Sequence, residues 1–306
     1  MTEPGPKVDI ALLATIPQDV CDALRPDAAL IPADEISSLP SERRSRIRLG
    51  LSRAMDGAPG DLMELLPGLE RLASVGAGVD KFDEADLKRR GIAFLPTPHV
   101  MTEDTAEMAV SLLFALCRNT VGNDAHVRSG AWAEARAGIG RRIAGLRAGI
   151  VGLGRIGRAV AWRLEGLNVD VSYTGRSEKP DVGYRYLPTP EALAGEVDVL
   201  ILTCSGGPET RHLLSADVLA ALGSEGMVIN VSRGSVVDEA ALLVALETGG
   251  IAGAALDVYD NEPEPDPRFL ALSNVTLSPH AAVFTRENRR DLAAEIRRLL
   301  LLYDKS

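Results

Sequence analysis

With 306 residues the chain has room for two domains, each with its own core, and its 46% hydrophobic and 25% charged residues are ordinary for a soluble globular protein. A net charge of −10 and a pI near 5.0 exclude the basic surface that a nucleic-acid or anionic-membrane partner requires, so an acidic substrate has to be captured locally. Cys21, Cys117 and Cys204 are odd in number and unspaced for metal or redox pairs, the first six residues lack leader character, and no apolar run reaches about 18 residues; reduced structural thiols and a cytoplasmic location are expected.

Residues 8–13 (VDIALL) read as a first strand, and two or three further strand and helix candidates follow up to about residue 95. Pro59-Gly60-Asp61 ahead of Leu62, Leu65 and Leu66 has the form of a helix start with an apolar face. A strand over residues 72–75 runs into Gly76-Ala77-Gly78-Val79-Asp80, a turn whose N–H groups either hold a small carboxylate or simply close the chain on itself. Residues 92–95 form the last strand of this half. Pro96-Thr97-Pro98-His99 then reads as a hinge, because two prolines forbid helix and impose an extended crossing. Thr102 caps a helix with Glu103 and Asp104 in its first turn, where the dipole favours acid. From Ala106 to Leu116 this helix is apolar nearly all round, so it is buried within the domain or against a second subunit, and a dimer interface is the preferred reading.

The organising stretch comes next. A short apolar strand, residues 148–151, leads into Gly152-Leu153-Gly154-Arg155-Ile156-Gly157, and the glycines open a run with helical apolar spacing. A helix N-terminus offers unpaired N–H groups and the positive end of a dipole to phosphate. Gly152 makes the tight turn, Gly154 faces a pyrophosphate, and Gly157 lets the helix approach the sheet. A second strand, residues 169–173, completes a βαβ unit and ends near Arg176 and Ser177, with Lys179 beyond. An acid here would accept from the ribose hydroxyls; a guanidinium fork and a hydroxyl suit a 2′-phosphate instead, so NADP(H) is expected, with NAD(H) possible if other groups hold the ribose.

Strand-like runs at residues 197–202, 227–231, 252–258 and 275–277 follow, the earlier ones separated by helical segments at 217–222 and 239–247, which predicts a parallel sheet. Leu292, Ile296, Leu299, Leu300 and Tyr303 mark one face of a closing helix. Ligands of such sheets bind outside the carboxyl ends of the strands, where this chain carries Arg233, Glu262 and His280. The three suit hydride exchange at a 2-oxo acid: His280 gives or takes the proton, Glu262 orients the ring, and Arg233 grips the carboxylate and polarises the carbonyl. His99 on the hinge is the rival histidine; His126 and His212 lie in stretches without a converging motif. No pair of histidines has metal-ligand spacing.

These motifs, in this order, resemble the D-2-hydroxyacid dehydrogenase family, most closely its hydroxypyruvate/glyoxylate (hydroxyphenylpyruvate) reductase branch. The likeness runs from the turn at residues 75–80 through the glycine loop, Asn230-Val231-Ser232-Arg233-Gly234, Leu256-Asp257-Val258 and Asn261-Glu262-Pro263, to Ser278-Pro279-His280. It implies an α/β fold of two parallel-sheet domains. A Rossmann nucleotide domain, residues 100–280, is inserted in a flavodoxin-like substrate domain made of residues 1–99 plus 281–306. It further implies Arg233 as the substrate-binding arginine, Glu262 as partner of His280, and His280 as acid/base. Val75, Gly76, Ala77 and Gly78 would contact the substrate, its carboxylate taken by the N–H groups of Ala77 and Gly78. Cofactor contacts fall on Gly152, Gly154, Arg155, Ile156, Gly157, Arg176, Ser177, Cys204, Thr210, Val231, Ser232, Asp257 and Ala282. A homodimer through the 102–118 helix is likewise implied, and Arg176-Ser177 and Gly206 to Thr210 are similar to the NADP-preferring branch.

Two departures stand out. Ala281-Ala282-Val283-Phe284 replaces an Ile-Gly-Ser-Ala type of stretch, and His99 replaces a hinge glycine. A more apolar pocket favours a bulkier 2-oxo acid over glyoxylate. The reading is therefore NADPH-dependent reduction of a small 2-oxo acid, hydroxypyruvate, glyoxylate or an aryl- or alkylpyruvate. The alternatives are an NAD-dependent dehydrogenase of a phosphorylated hydroxy acid, for which only Arg53 and Lys81 offer extra charge near the turn, and a dinucleotide-sensing protein with weak catalysis.

Overall fold

Helix-bearing connections separate the strands of the N-terminal segment, and a crossover of that kind returns each strand in the same direction as the last. In the computed structural model, which describes residues 7–302, the result is a five-stranded, all-parallel sheet. Its strands are β1 (Val8–Leu12), β2 (Ala28–Ile31), β3 (Leu49–Arg53), β4 (Arg71–Val75) and β5 (Ala93–Pro96), in the spatial order β2-β1-β3-β4-β5. Alternation along β1 sends Ile10 and Leu12 to one face and Ala11 to the other, so both faces need cover. On the first face that cover includes Leu292, Ala293 and Ile296 of the C-terminal helix Arg286–Arg297. Tyr303, expected on the same helix face, lies outside the described residues.

The chain divides into two compact units: one joins the chain up to Met101 with the chain from Val283 on, and the other is Thr102–Ala282. Both crossings fall two residues later in the chain than the insert read from the sequence, for local reasons. Met101 packs in the core of the first unit, and Val100 gives its carbonyl to Asn288 Nδ2 at 2.9 Å. Ala281 and Ala282, in turn, donate their N–H groups to the Asp257 carboxylate of the second unit at 2.8 and 3.1 Å.

The second unit holds a seven-stranded parallel sheet: β6 (Arg147–Val151), β7 (Asp170–Thr174), β8 (Arg185–Tyr186), β9 (Val199–Leu202), β10 (Met227–Asn230), β11 (Gly253–Leu256) and β12 (Val275–Leu277), ordered β12-β11-β10-β9-β6-β7-β8. The strand order reverses between β6 and β9, and a crevice opens at such a switch point. One face is covered by the helices Thr102–Arg118 and Arg155–Glu165, the latter through the fully buried Val160, Ala161 and Leu164. Leu164→Ala would cost about 2–5 kcal/mol there. The Thr102–Arg118 helix, apolar nearly all round in sequence, buries Ala106, Ala109, Leu112 and Leu113 and leaves Phe114 on the opposite side exposed. The helices Thr120–Arg128 and Pro190–Ala194 and the two-residue β8 were not anticipated.

Candidate active site

At the end of β6 the chain turns with Gly152 at φ +98°, a left-handed conformation that side chains rarely adopt. A Cβ there would sit 2.6 Å from Cys204 Cα, so crowding and conformation demand glycine together. Gly157 is required by packing: its Cβ would fall 2.4 Å from the Gly152 carbonyl oxygen, which takes a hydrogen bond from Thr203 Oγ1 at 2.8 Å. Gly154 is different, since nothing lies within 4 Å of the position its Cβ would take. The protein itself has no use for the missing side chain, and what remains is a clear approach to the N-terminus of the Arg155–Glu165 helix. No side chain caps that helix, no acid stands in its first turn, and the N–H groups of Arg155, Ile156 and Gly157 find no acceptor among the described residues. Open backbone donors, a dipole and an unfilled glycine position fit the pyrophosphate of a dinucleotide.

β7 delivers Gly175, Arg176 and Ser177 to the same end of the sheet. Arg176 and Ser177 are exposed, and Arg176 has no ion-pair partner among the described residues. Around the switch point, Cys204 backs onto Gly152, and burial pushes its thiol up to about 11, so it stays protonated at neutral pH. The Thr210 hydroxyl donates to the Ser205 carbonyl at 2.7 Å and braces its own loop.

The ends of β10, β11 and β12, adjacent in the sheet, carry the charged set. At the end of β10, the fully buried Asn230 accepts from Ser232 N–H at 2.9 Å and from the Ser232 hydroxyl at 2.7 Å, and its Nδ2 donates to the Arg233 carbonyl at 3.0 Å. One side chain thus fixes the whole Val231-Ser232-Arg233 turn. Arg233 Nη1 donates to the Ser232 carbonyl at 2.8 Å, and its stem runs beside Gly206, where a Cβ would lie 2.8 Å from Arg233 Cγ.

After β11, Glu262 accepts from Tyr259 N–H at 2.9 Å through one oxygen and meets His280 Nδ1 at 2.7 Å through the other. Burial pushes the Glu262 carboxyl up, but the hydrogen bonds from His280 and Tyr259 N–H and the charges of His280 and Arg233 outweigh it, leaving the pKa below the ordinary carboxylate value. The hydrogen-bond pattern therefore assigns the Nδ1 proton to the Glu262 contact, and Nε2 is the ring nitrogen left for chemistry.

His280 follows β12 with φ +53°, the left-handed region in a non-glycine residue, a strain of about 1–3 kcal/mol that surrounding bonds must hold. They come from Asp257. Its carbonyl accepts His280 N–H at 2.8 Å, while its buried carboxylate gathers Ala281 N–H, Ala282 N–H and the Ser278 hydroxyl. Below them the Tyr259 hydroxyl sits 3.1 and 2.9 Å from the carbonyls of Leu256 and Ser278, and burial pushes this phenol up to about 12, so it remains protonated. Asn230, Gly206 and Tyr259 are supporting residues to which the motif reading gave no such role.

The other histidines are placed differently. His99 Nε2 lies 3.2 Å from Glu295 Oε1, His126 Nε2 lies 2.9 Å from the Ala135 carbonyl, and His212 is exposed. Among the described residues no cluster of His, Cys, Asp or Glu suits a metal ion. In the first unit, β4 ends at Val75 and turns through Gly76 at φ +121°, whose N–H donates to the buried Thr97 hydroxyl at 3.2 Å. The N–H groups of Ala77 and Gly78 have no acceptor among the described residues. Arg53 is engaged by Asp56, its Nη2 donating at 3.0 Å, which removes it as a free phosphate ligand.

A glycine loop at a switch point, with a histidine–carboxylate pair three and four strands away, defines a dinucleotide-dependent oxidoreductase. Residues 110–282 match the D-isomer specific 2-hydroxyacid dehydrogenase, NAD binding domain. A 2-ketogluconate reductase of Gluconobacter oxydans is 43% identical over 237 residues, 78% of this chain and 76% of its own length. A glyoxylate/hydroxypyruvate reductase of Arabidopsis thaliana is 40% identical over 259 residues, 85% and 83% of the two chains. The crystal structure of an NADPH-dependent glyoxylate/hydroxypyruvate reductase from Sinorhizobium meliloti, in complex with NADP and malonate, superposes with a TM-score of 0.88 at 35% identity, covering 94% of this chain and 91% of that one. The chain belongs to the D-isomer specific 2-hydroxyacid dehydrogenase family. It is an NAD(P)-dependent oxidoreductase of the branch that reduces 2-oxo acids.

Proposed function

We propose that the chain reduces a small 2-oxo acid, such as hydroxypyruvate, glyoxylate or an aryl- or alkylpyruvate, to the D-2-hydroxy acid with NADPH, and that His280 is the proton donor. The observation that carries this reading is the 2.7 Å contact between His280 Nδ1 and Glu262, which orients the ring and leaves Nε2 to act. Bound at the Gly152 to Gly157 loop, the dinucleotide supplies the hydride. The carbonyl oxygen takes the proton from His280 Nε2 and becomes the hydroxyl. Glu262, ionised because its pKa is lowered, stabilises the protonated imidazole before transfer. Arg233 holds the substrate carboxylate and draws charge toward the carbonyl oxygen. Within the first unit, the N–H groups of Ala77 and Gly78, without an acceptor among the described residues, are proposed as donors to a substrate carboxylate.

On the cofactor side, the N–H groups of Arg155, Ile156 and Gly157 receive the pyrophosphate, Gly152 and Gly154 letting it approach, and Arg176 with Ser177 receives the 2′-phosphate. Cys204, Thr210, Val231, Ser232, Asp257 and Ala282 shape the remainder of the cleft wall. Exposure and lack of an ion pair at Arg176 support NADPH over NADH, as does the NADPH dependence of the Sinorhizobium meliloti relative. Phe114, exposed on the Thr102–Arg118 helix between Glu107 and Arg118, supports a two-fold contact with a second copy, and the unpaired cysteines support a reducing, cytoplasmic setting.

The test is oxidation of NADPH and NADH, followed in parallel with glyoxylate, hydroxypyruvate and phenylpyruvate on protein sized by sedimentation. Expected are a clear preference for NADPH and turnover of both acids, with the aryl acid favoured over glyoxylate by the apolar 281–284 stretch. Preference for NADH would remove the 2′-phosphate reading, a strong preference for glyoxylate would remove the bulky-substrate reading, and sedimentation as a single chain would remove the dimer.

A further inference from the structure

β8 is two residues long, too short to add much to a sheet, yet it is paired in register with β7 so that Tyr173 stands opposite Tyr186. Parallel neighbours in register present their side chains on one face, and the two rings meet with centroids 5.4 Å apart, Tyr173 only 1% exposed. Their hydroxyls do not point at one another. Tyr186 donates to the Gly175 carbonyl at 3.2 Å, and Tyr173 accepts the Lys179 N–H at 2.6 Å. These two bonds bracket Arg176, Ser177 and Glu178, three exposed residues between a pinned Gly175 and a pinned Lys179. A third tether follows: Asp181 pairs with Arg158 of the glycine-loop helix at 2.9 and 3.0 Å, and those hydrogen bonds hold its carboxyl below the usual range.

We infer that Tyr173 and Tyr186 are positioning residues for recognition of the cofactor's 2′-phosphate: their hydroxyls set the backbone of the 175–179 loop so that Arg176 and Ser177 are presented already ordered. The inference rests on the reading of Arg176 and Ser177 as the 2′-phosphate site. The physical basis is preorganisation. An exposed arginine on a free loop loses chain and rotamer entropy when it closes on a phosphate, and a loop fixed at both ends has lost most of the backbone part beforehand. The pins lie under the loop and leave the guanidinium and the Ser177 hydroxyl clear, as a site for an external anion requires. It also gives the short β8 a purpose, since what it contributes is the place of Tyr186.

The experiment measures calorimetric affinities of adenosine 2′,5′-bisphosphate and of 5′-AMP, which differ only in the 2′-phosphate, for the wild type, Tyr186→Phe, Tyr173→Phe and Arg176→Ala. Each Tyr→Phe change deletes one hydroxyl and keeps the ring packing. Expected is a roughly two- to tenfold loss of affinity for the bisphosphate in each tyrosine variant, the scale of one net hydrogen bond, with 5′-AMP binding unchanged. Equal loss for both nucleotides would mean that the tyrosines only support the fold, and would overturn the proposal. An unchanged ratio in the tyrosine variants beside a lowered ratio in Arg176→Ala would overturn it too, while leaving the 2′-phosphate site in place. A wild type that binds both nucleotides equally would overturn the site and the positioning role together.

Discussion

Two stretches along one edge of one sheet solve opposite problems. Where β10, β11 and β12 finish, the proposed chemistry rests on side chains, and each is held by several others: Asn230 sets the turn before Arg233, Tyr259 N–H and His280 hold Glu262, and Asp257 closes the loop after His280. Where β6 finishes, the proposed phosphate site rests on backbone N–H groups, and side chains are kept away: Gly152 and Gly157 are needed for packing, and Gly154 faces open space. Proton transfer needs one atom in one place, and a hydrogen-bonded shell achieves that at the cost of strain at His280. Phosphate binding needs several donors converging on a bulky anion, and bare backbone achieves that with no side chain to order.

The contrast is broken first at the side-chain end. His280→Ala is expected to lower kcat for 2-oxo acid reduction by about 10²–10⁴-fold while dinucleotide affinity, measured by calorimetry, stays as it was. Residual kcat within tenfold of the wild type would move the proton donor elsewhere. A pair of glycine variants then sharpens the backbone end. Gly152→Ala places a Cβ against Cys204 at an unfavourable φ and should destabilise the protein by about 1–3 kcal/mol in urea unfolding. It should also weaken dinucleotide binding. Gly154→Ala meets nothing in the protein, so its unfolding midpoint should match the wild type while dinucleotide affinity falls by roughly tenfold or more. Loss of stability in both would show that the open position has a structural purpose.

The smallest effect is a displacement along the pH axis. It belongs to Glu262, whose carboxylate accepts from Tyr259 N–H and lies 2.7 Å from His280 Nδ1. The same residue makes a prediction for stability. Its folded-state pKa is lowered, so its contribution is present above the ordinary carboxylate pKa and is lost as pH falls through the lowered value. Acid unfolding of Glu262→Gln should be less steep over that interval, and superimposable acid curves would contradict the assignment.

Legibility followed physical cause. The strand-glycine-helix turn was readable because such a turn constrains residue type at fixed spacing, and the placing of Arg233, Glu262 and His280 after successive parallel strands because the apolar runs before them mark those strands. Asn230 and Asp257 as braces were not readable, since what they hold is decided by turn geometry and by register between strands that sequence leaves open. The Thr120–Arg128 helix buries none of its residues and so has no apolar period to detect. Pro190–Ala194 did carry a signal, Thr189 capping the Ala192 N–H just ahead of a proline, but five residues are too few for periodicity. β8 has two residues and no pattern at all; only pairing with β7 makes it a strand.

The division of the first unit between the two ends of the chain has a consequence during synthesis. Ile10, Leu12, Val20 and Leu24 share a core with Leu292, Ala293, Ile296 and Leu300, and about 195 residues separate Met101 from Ile296. At ribosomal speeds roughly 10–40 s pass before the second set exists. The whole of Thr102–Ala282 is made in that interval and carries every strand its own sheet needs. The nucleotide-binding unit can therefore finish while the segment translated before it still shows an uncovered apolar face, and the helix Arg286–Arg297, made after that unit, completes the cover of the five-stranded sheet.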